Sequence, residues 1–318
     1  MGMVPRSFFK PHGDEGVFLH VYNHCVEGCA GGFHFSDLEK EKLVLLLKQY
    51  LIKYNIECIS YCMMSNHWHL LLYTNPKKLT AEQMCRRYKQ FTKGKFDLAE
   101  NHELIQRLCE NSNDISEFMR EWQRAFTVWY NKTRDFRRKG TLWEQRFKCT
   151  KLVGETALDN CLRYIELNPV RAGICKSPKD YRFCSFGAWT GTGRHPFHRS
   201  IKKLYIPQVK IYLDGERDML ALQSYLRAWF ARIEARENGL SGEEAASHVK
   251  KAKSNPHLAS SLLHKSRYWI DGVVLGTRLK VRENAALLYG DEKAKKRKIA
   301  RSYSDKGNSL YSLRWLQT

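Results

Sequence analysis

Met64-Ser65-Asn66-His67-Trp68-His69-Leu70-Leu71-Leu72-Tyr73 is the run on which the reading of this chain turns. It is rich in aliphatic and aromatic residues, and its two histidines are two positions apart. In a strand, residues i and i+2 point to one face, about 7 Å apart along the chain. Trp68, between them, then faces the other side and can be buried. Two imidazoles on one face can converge on a single divalent ion. A strand that gives two nitrogen ligands and no third does not close a structural site, so positions stay open for a substrate oxygen. The competing reading is two surface donors or two satisfied core histidines.

Outward from this run, residues 56–63 form a second strand, and Ser65-Asn66 makes the hairpin turn between the two. Residues 17–23 read as an earlier strand, followed by a Gly-rich turn at Gly28, Gly31 and Gly32. Ser36-Asp37 offers an N-cap to a helix through about Tyr54, with Leu43, Leu46, Leu47 and Tyr50 as its apolar stripe. Helical patterns follow at 79–93 and 115–134, then a strand at 145–153 and a helix at 155–167 that Asn168-Pro169 stops. The order β-α-β-β-α-(α)-β-α predicts an α+β fold, a ferredoxin-like (RRM-like) antiparallel sheet flanked by helices. Its domain is expected over residues 1–190.

Gly191, Gly193, His195 and Pro196 suggest a linker into a basic, mainly helical C-terminal extension over 191–318. Helices are expected there at 218–238, at 241–253 behind a Ser241/Glu244 capping box, at 269–282 and at 283–289. The densest positive cluster is 293–301, read either as a solvated basic tail or as a contact to a nucleic-acid backbone.

Composition narrows the partners. The chain has 318 residues, with 54 Lys+Arg against 33 Asp+Glu and a formal net charge of +21. Such a field attracts polyanions, of which nucleic acid is the commonest in a cell. Aromatics sit among the cations at Trp122-Gln123-Arg124 and Trp129-Tyr130-Asn131-Lys132, a mixture suited to single strands. No apolar run is long enough for a membrane span, and the first residues contain no apolar signal region. Cys25/Cys29 and Cys58/Cys62 lack zinc-knuckle spacing, so the cysteines read as reduced, mostly buried thiols of a cytoplasmic protein.

Tyr164 and Asn168 lie four residues apart on the helix after the 145–153 strand, and so share a face. Packed on the sheet, that face can bring a carboxamide ligand and a phenol nucleophile to the histidines. A free phenol, with a pKa near 10, is a poor nucleophile at neutral pH unless positive charge assists it. Taken alone, the pair also fits a core aromatic and a C-cap before Pro169. Tyr130 is a competing nucleophile, but its surroundings read as a core helix.

Three blocks together carry a resemblance. Asn66-His67-Trp68-His69-Leu70-Leu71, Gly140-Thr141-Leu142-Trp143-Glu144-Gln145-Arg146-Phe147-Lys148 and Arg163-Tyr164-Ile165-Glu166-Leu167-Asn168-Pro169-Val170-Arg171-Ala172-Gly173 stand in the order found in REP-associated tyrosine transposases. These are single-tyrosine HUH transposases of the insertion-sequence-200 type, and the resemblance covers about residues 5–190. It implies that His67 and His69 bind Mg2+ or Mn2+, with Asn168 as third ligand. It implies that Tyr164 attacks a phosphate of single-stranded, hairpin or repeat DNA, leaving a 5′-phosphotyrosine link and a free 3′-hydroxyl. Arg146 and Lys148 are candidate phosphate contacts, as are Arg134, Arg137, Arg138 and Lys139. The expected setting is cytoplasmic, on the nucleoid of a prokaryotic cell, with the protein a monomer or a homodimer. The alternatives are an idle DNA-binding or regulatory relative and a metal-dependent nuclease that uses water.

Overall fold

The computed structural model describes residues 4–26, 34–134, 140–209, 218–237, 269, 272–305 and 308–314. Within them the chain is mixed α+β, with seven strands. It divides into two units, one of Pro5–Cys58 and Met63–Lys148, the other of Met1–Val4, Ile59–Cys62 and Cys149–Thr318. The division does not fall at residue 190: residues 149–190 group with the C-terminal part.

The first unit holds β1 (Val17–His24) and β3 (His67–Thr74), while β2 (Ile56–Met63) has its middle, Ile59–Cys62, in the other. The tight turn expected at Ser65-Asn66 closes with a bond from the Met64 N–H to the His67 carbonyl, 2.8 Å. β1 runs antiparallel to β3, with Val21 opposite Leu70, Tyr22 opposite His69 and His24 opposite His67. This register gives the pair two unlike faces. Leu19, Val21, Trp68, Leu70 and Leu72 form the apolar one and are fully buried. Trp68 meets the Trp122 ring at 4.9 Å, so it turns away from the histidines as its position predicts.

Two helices build the core with that face. α1 (Asp37–Leu51) begins at a Ser36/Glu39 capping box, in which the Ser36 N–H donates to the Glu39 carboxylate at 2.6 Å. α2 (Ala81–Phe91) and α3 (Glu103–Glu110) form a satellite with Leu79, Met84 and Ile105 buried between them. α4 (Ile115–Lys132) has Asp114 as N-cap and packs on α1, where the Trp122 indole N–H donates to the Leu43 carbonyl. α3 lies in a stretch without a long apolar period to mark it in the sequence.

β4 (Lys148–Val153), three residues shorter than the 145–153 expectation, enters the second unit at Cys149. α5 (Glu155–Glu166) and α6 (Asn168–Arg171) follow, so Asn168 opens a short second helix rather than only ending the first. α7 (Ser185–Thr192) runs into the expected linker and is closed by Gly193 at φ 72°, the left-handed cap that glycine adopts freely. Next come α8 (His198–Ser200), α9 (Ile206–Val209) and α10 (Met219–Glu237).

The C-terminal third departs from the expectation of a mainly helical extension. β5 (Gly272–Gly276) occupies part of the expected 269–282 helix, α11 (Arg278–Tyr289) and α12 (Asp291–Lys296) follow it, and β6 (Ala300–Asp305) and β7 (Asn308–Arg314) end the described chain. The reason lies in Gly272-Val273-Val274-Leu275-Gly276, a β-branched run bounded by glycines. It pairs parallel to β4 and antiparallel to β7, and such a doubly paired strand is apolar without alternation. Gly276 is needed at its end, because a Cβ there would stand 2.3 Å from the Val153 carbonyl oxygen. The helix expected at 241–253 lies outside the described residues.

Candidate functional site

The polar face of the β1–β3 pair carries His20, Tyr22 and His24 on β1 and His67 and His69 on β3. Their rings form one array: His24 stacks on His67 at 4.8 Å, His67 meets His69 edge-on at 5.2 Å, and Tyr22 lies 5.5 Å from His69. His69 and His20 are buried, while His67 and His24 are half-buried. The Asn66 side-chain oxygen lies 2.7 Å from His67 Nδ1. A carboxamide oxygen only accepts, so Nδ1 is the protonated nitrogen and Nε2 keeps the lone pair. His69 Nδ1 lies 3.0 Å from His20 Nε2. With His69 as donor of that bond, its Nε2 is likewise left basic. Bonds of this kind orient imidazoles toward metals. The donor set therefore fits a divalent ion held by two Nε2 atoms. Among the described residues no group of three or more His, Cys, Asp and Glu is arranged to hold one.

Lys148 Nζ lies 5.6 Å from the Tyr22 ring centre, beside this face, and Arg146 is exposed. Arg134 is engaged elsewhere: it pairs with Glu39, and its guanidinium covers the Tyr130 ring at 3.8 Å. Tyr130 itself is buried in the α4 core. Arg137, Arg138 and Lys139 lie outside the described residues, as does Cys29. Cys25 is buried and bridges to Trp143 through its backbone.

The second unit holds Tyr164 and Asn168. Every residue of α5 from Ala157 to Glu166 is buried, so the helix is enclosed on all sides. The Tyr164 side chain lies between two groups: Trp269 stacks on it at 4.9 Å and 21°, and the Arg171 guanidinium sits 4.8 Å from its ring centre. Burial pushes the phenol pKa above its ordinary value, while Arg171, by its charge and a hydrogen bond to the phenol, pulls the other way. The Asn168 amide nitrogen donates to the carbonyls of Tyr164 (2.9 Å) and Ile165 (3.3 Å), which fixes the plane of the carboxamide.

Two buried networks hold this helix. Ser60 and Ser185 hydroxyls donate to one oxygen of Glu166 at 2.7 and 2.6 Å, and the Phe186 N–H donates to the other at 2.9 Å. Burial raises the Glu166 pKa against the pull of these donors. Two turns earlier on the helix, Asp159 pairs with Arg163 and accepts from the hydroxyls of Tyr205 (2.8 Å) and Tyr225 (3.0 Å).

The histidine pair and the Tyr164/Asn168 pair thus each come together within their own unit. Sequence reasoning did not single out His20, His24 or Trp269. His20, Tyr22 and His24 repeat the i, i+2 spacing of His67 and His69, a signal present in the sequence. Nothing local marks Trp269.

No family model matches the chain. A protein of Haemophilus influenzae, named provisionally as a REP-associated tyrosine transposase, is 26% identical over 148 residues, covering 44% of this chain and 77% of its own. The sequence resemblance read from the three blocks and this match point to the same group. A solved structure of a REP-associated tyrosine transposase bound to a REP hairpin aligns at a TM-score of 0.38 and 15% identity, over 59% of this chain and 87% of that one.

Proposed function

We propose that this chain is a transposase-type DNA strand-transfer enzyme, acting on single-stranded DNA with hairpin or repeat structure through a tyrosine nucleophile. The observation that carries the reading is the histidine pair of β3, with its Nδ1 atoms engaged by Asn66 and His20. The 26% identity to a chain named as a tyrosine transposase supports it.

In this reading His67 and His69 hold Mg2+ or Mn2+, with the Asn168 carboxamide oxygen as a further ligand, and the ion supplies charge neutralisation at the scissile phosphate. Imidazole ligands make Mn2+ at least as suitable as Mg2+. Tyr164 attacks phosphorus, the phenol proton leaves, the P–O3′ bond breaks, and the departing 3′ oxygen takes up a proton. One phosphodiester is exchanged for another, so no water or nucleotide is consumed. Arg171, bonded to the phenol oxygen, favours the ionised nucleophile. Lys148 and Arg146 contact DNA phosphates. Because Tyr164 is only 1% exposed under Trp269, attack requires that ring to move aside.

The same burial favours a second reading, an idle relative that binds DNA without cutting it. The two separate on one experiment: labelled hairpin oligonucleotides with Mn2+, run on denaturing gels for the wild type and Tyr164→Phe. A metal-dependent covalent adduct that the substitution abolishes is the expected result. Binding without any product would support the idle relative, and cleavage that persists in Tyr164→Phe without an adduct would mean hydrolysis by water.

A further inference from the structure

None of the residues given a role in the chemistry at Tyr164 lies between the start of β5 and the end of β7. β5, α11, α12, β6 and β7 follow one another, and the strands lie in the order β5-β7-β6. The last strand therefore returns to pair antiparallel with the strand that precedes the helices, Leu275 opposite Ser312 and Gly276 opposite Tyr311. Two helices joined by a tight turn and followed by a hairpin sewn back in this way have the connectivity of a winged helix, a helix-turn-helix variant. The interior is packed: Val273, Val274 and Leu275, then Val281 and Ala285, then Leu310 and Leu313, are all buried.

Two features set α12 against α11. Gly290 makes the turn at φ 79°, where a side chain would be strained. Arg282 of α11 donates from Nη1 to the carbonyls of Ala294 (2.6 Å), Lys295 (3.3 Å) and Arg297 (3.0 Å), satisfying groups that a helix end leaves open. The charge sits on this braced element. Between 291 and 301 stand Lys293, Lys295, Lys296, Arg297, Lys298 and Arg301 against only Asp291 and Glu292. Lys295 is offset by Glu292 at 3.0 Å, and Arg297 covers the Tyr289 ring at 3.9 Å. Lys293 and Lys296, one turn apart and so on one face, are exposed, as is Lys298.

We propose that α12 and the residues leading into β6 form a second nucleic-acid site, for double-stranded DNA, with Lys293, Lys296 and Lys298 as phosphate contacts. The chemistry favours a duplex over a single strand. Sites for single strands pair cations with aromatic stacking faces, and residues 291–301 contain no aromatic. A rigid helix followed by a hairpin instead suits a major groove about 12 Å wide.

The test is fluorescence anisotropy of the full chain on a blunt duplex of about two helical turns, and on a single strand of equal length, across a range of salt. The Lys293→Ala/Lys296→Ala/Lys298→Ala variant is expected to bind the duplex at least about tenfold more weakly. Its log–log salt slope should fall by nearly one per lysine. Single-strand binding should change by less than about twofold, since that mode depends on other residues. The corresponding triple arginine variant should keep duplex binding. Unchanged duplex affinity in the alanine variant, an equal loss on single strands, or an arginine variant as weak as the alanine one would each overturn the proposal. Binding is read without any cleavage, so failure of the tyrosine chemistry leaves this result standing.

Discussion

His69 takes its proposed role from the residue beside it. Its spacing from His67 was legible in the sequence, but the 3.0 Å contact from its Nδ1 to His20 was not. That contact arises because β1 pairs with β3 at a register that sets Tyr22 opposite His69, two pairs along from His20 and on the same face. If His69 donates to His20, the His20→Phe variant loses the acceptor that sets the His69 tautomer. Mn2+ affinity, measured by calorimetry, is then expected to weaken by roughly 10–100-fold, with little change in the unfolding midpoint. Unaltered affinity would mean that His20 only packs. Tyr164 shows the same dependence on neighbours: its place before Asn168 was readable, whereas its cover by Trp269 came only with the fold. Trp269→Ala should speed adduct formation several-fold if the indole must leave before attack. A slower or unchanged rate in a folded variant would remove Trp269 from the mechanism.

α5 is the element on which the candidate chemistry rests, and it is held by polar groups that a periodicity argument passes over. Its apolar positions predicted a helix packed on one side, yet Asp159, Asn160, Arg163 and Glu166 are buried too. Asp159 and Glu166 find partners distant in sequence, Asp159 in Tyr205 and Tyr225 and Glu166 in Ser60 and Ser185, while Asn160 and Arg163 bond within the helix. Glu166→Ala removes the acceptor shared by Ser60, Ser185 and the Phe186 amide, and should cost about 2–4 kcal/mol of stability in chemical denaturation. A loss below about 1 kcal/mol, the scale of a single exposed polar contact, would show that water replaces the carboxylate. β5 is the opposite case: its run of Val273, Val274 and Leu275 is too short for periodicity to separate strand from helix. Only its pairing with β4 and β7 decides between them.

Stability of the whole molecule carries a signature of one buried histidine. The His195 pKa is lowered from 6.5 to about 3, first by burial and then by the charge of His198. In the unfolded chain this imidazole takes a proton near pH 6.5, while in the fold it stays neutral down to about pH 3. Its contribution is thus fully present above pH 6.5, and the fold loses about 1.4 kcal/mol for each unit of pH below that until the folded group protonates. His195→Gln should therefore flatten the fall in unfolding free energy between pH 6.5 and 5; an equally steep fall would assign that loss to other groups. The formal charge of +21 acts over longer range. DNA association should slow and weaken steeply as salt rises. No helix among the described residues is long and apolar enough to cross a membrane.

What the sequence determined by itself was local. The strand period around His67 and His69, the capping box at Ser36, the i, i+4 pair of Tyr164 and Asn168 and the excess of cations are all relations between near neighbours or sums over the chain. Each was readable because a period, a cap or a charge needs no distant partner. The tertiary structure decided which distant residues meet. It set His20 against His69 through strand register, enclosed α5 with Ser60, Ser185, Tyr205 and Tyr225, laid Trp269 over Tyr164, and turned part of an expected helical tail into strands. These depend on pairing between segments far apart in the chain, where burial and hydrogen bonding outweigh the weak conformational preference of a short apolar run.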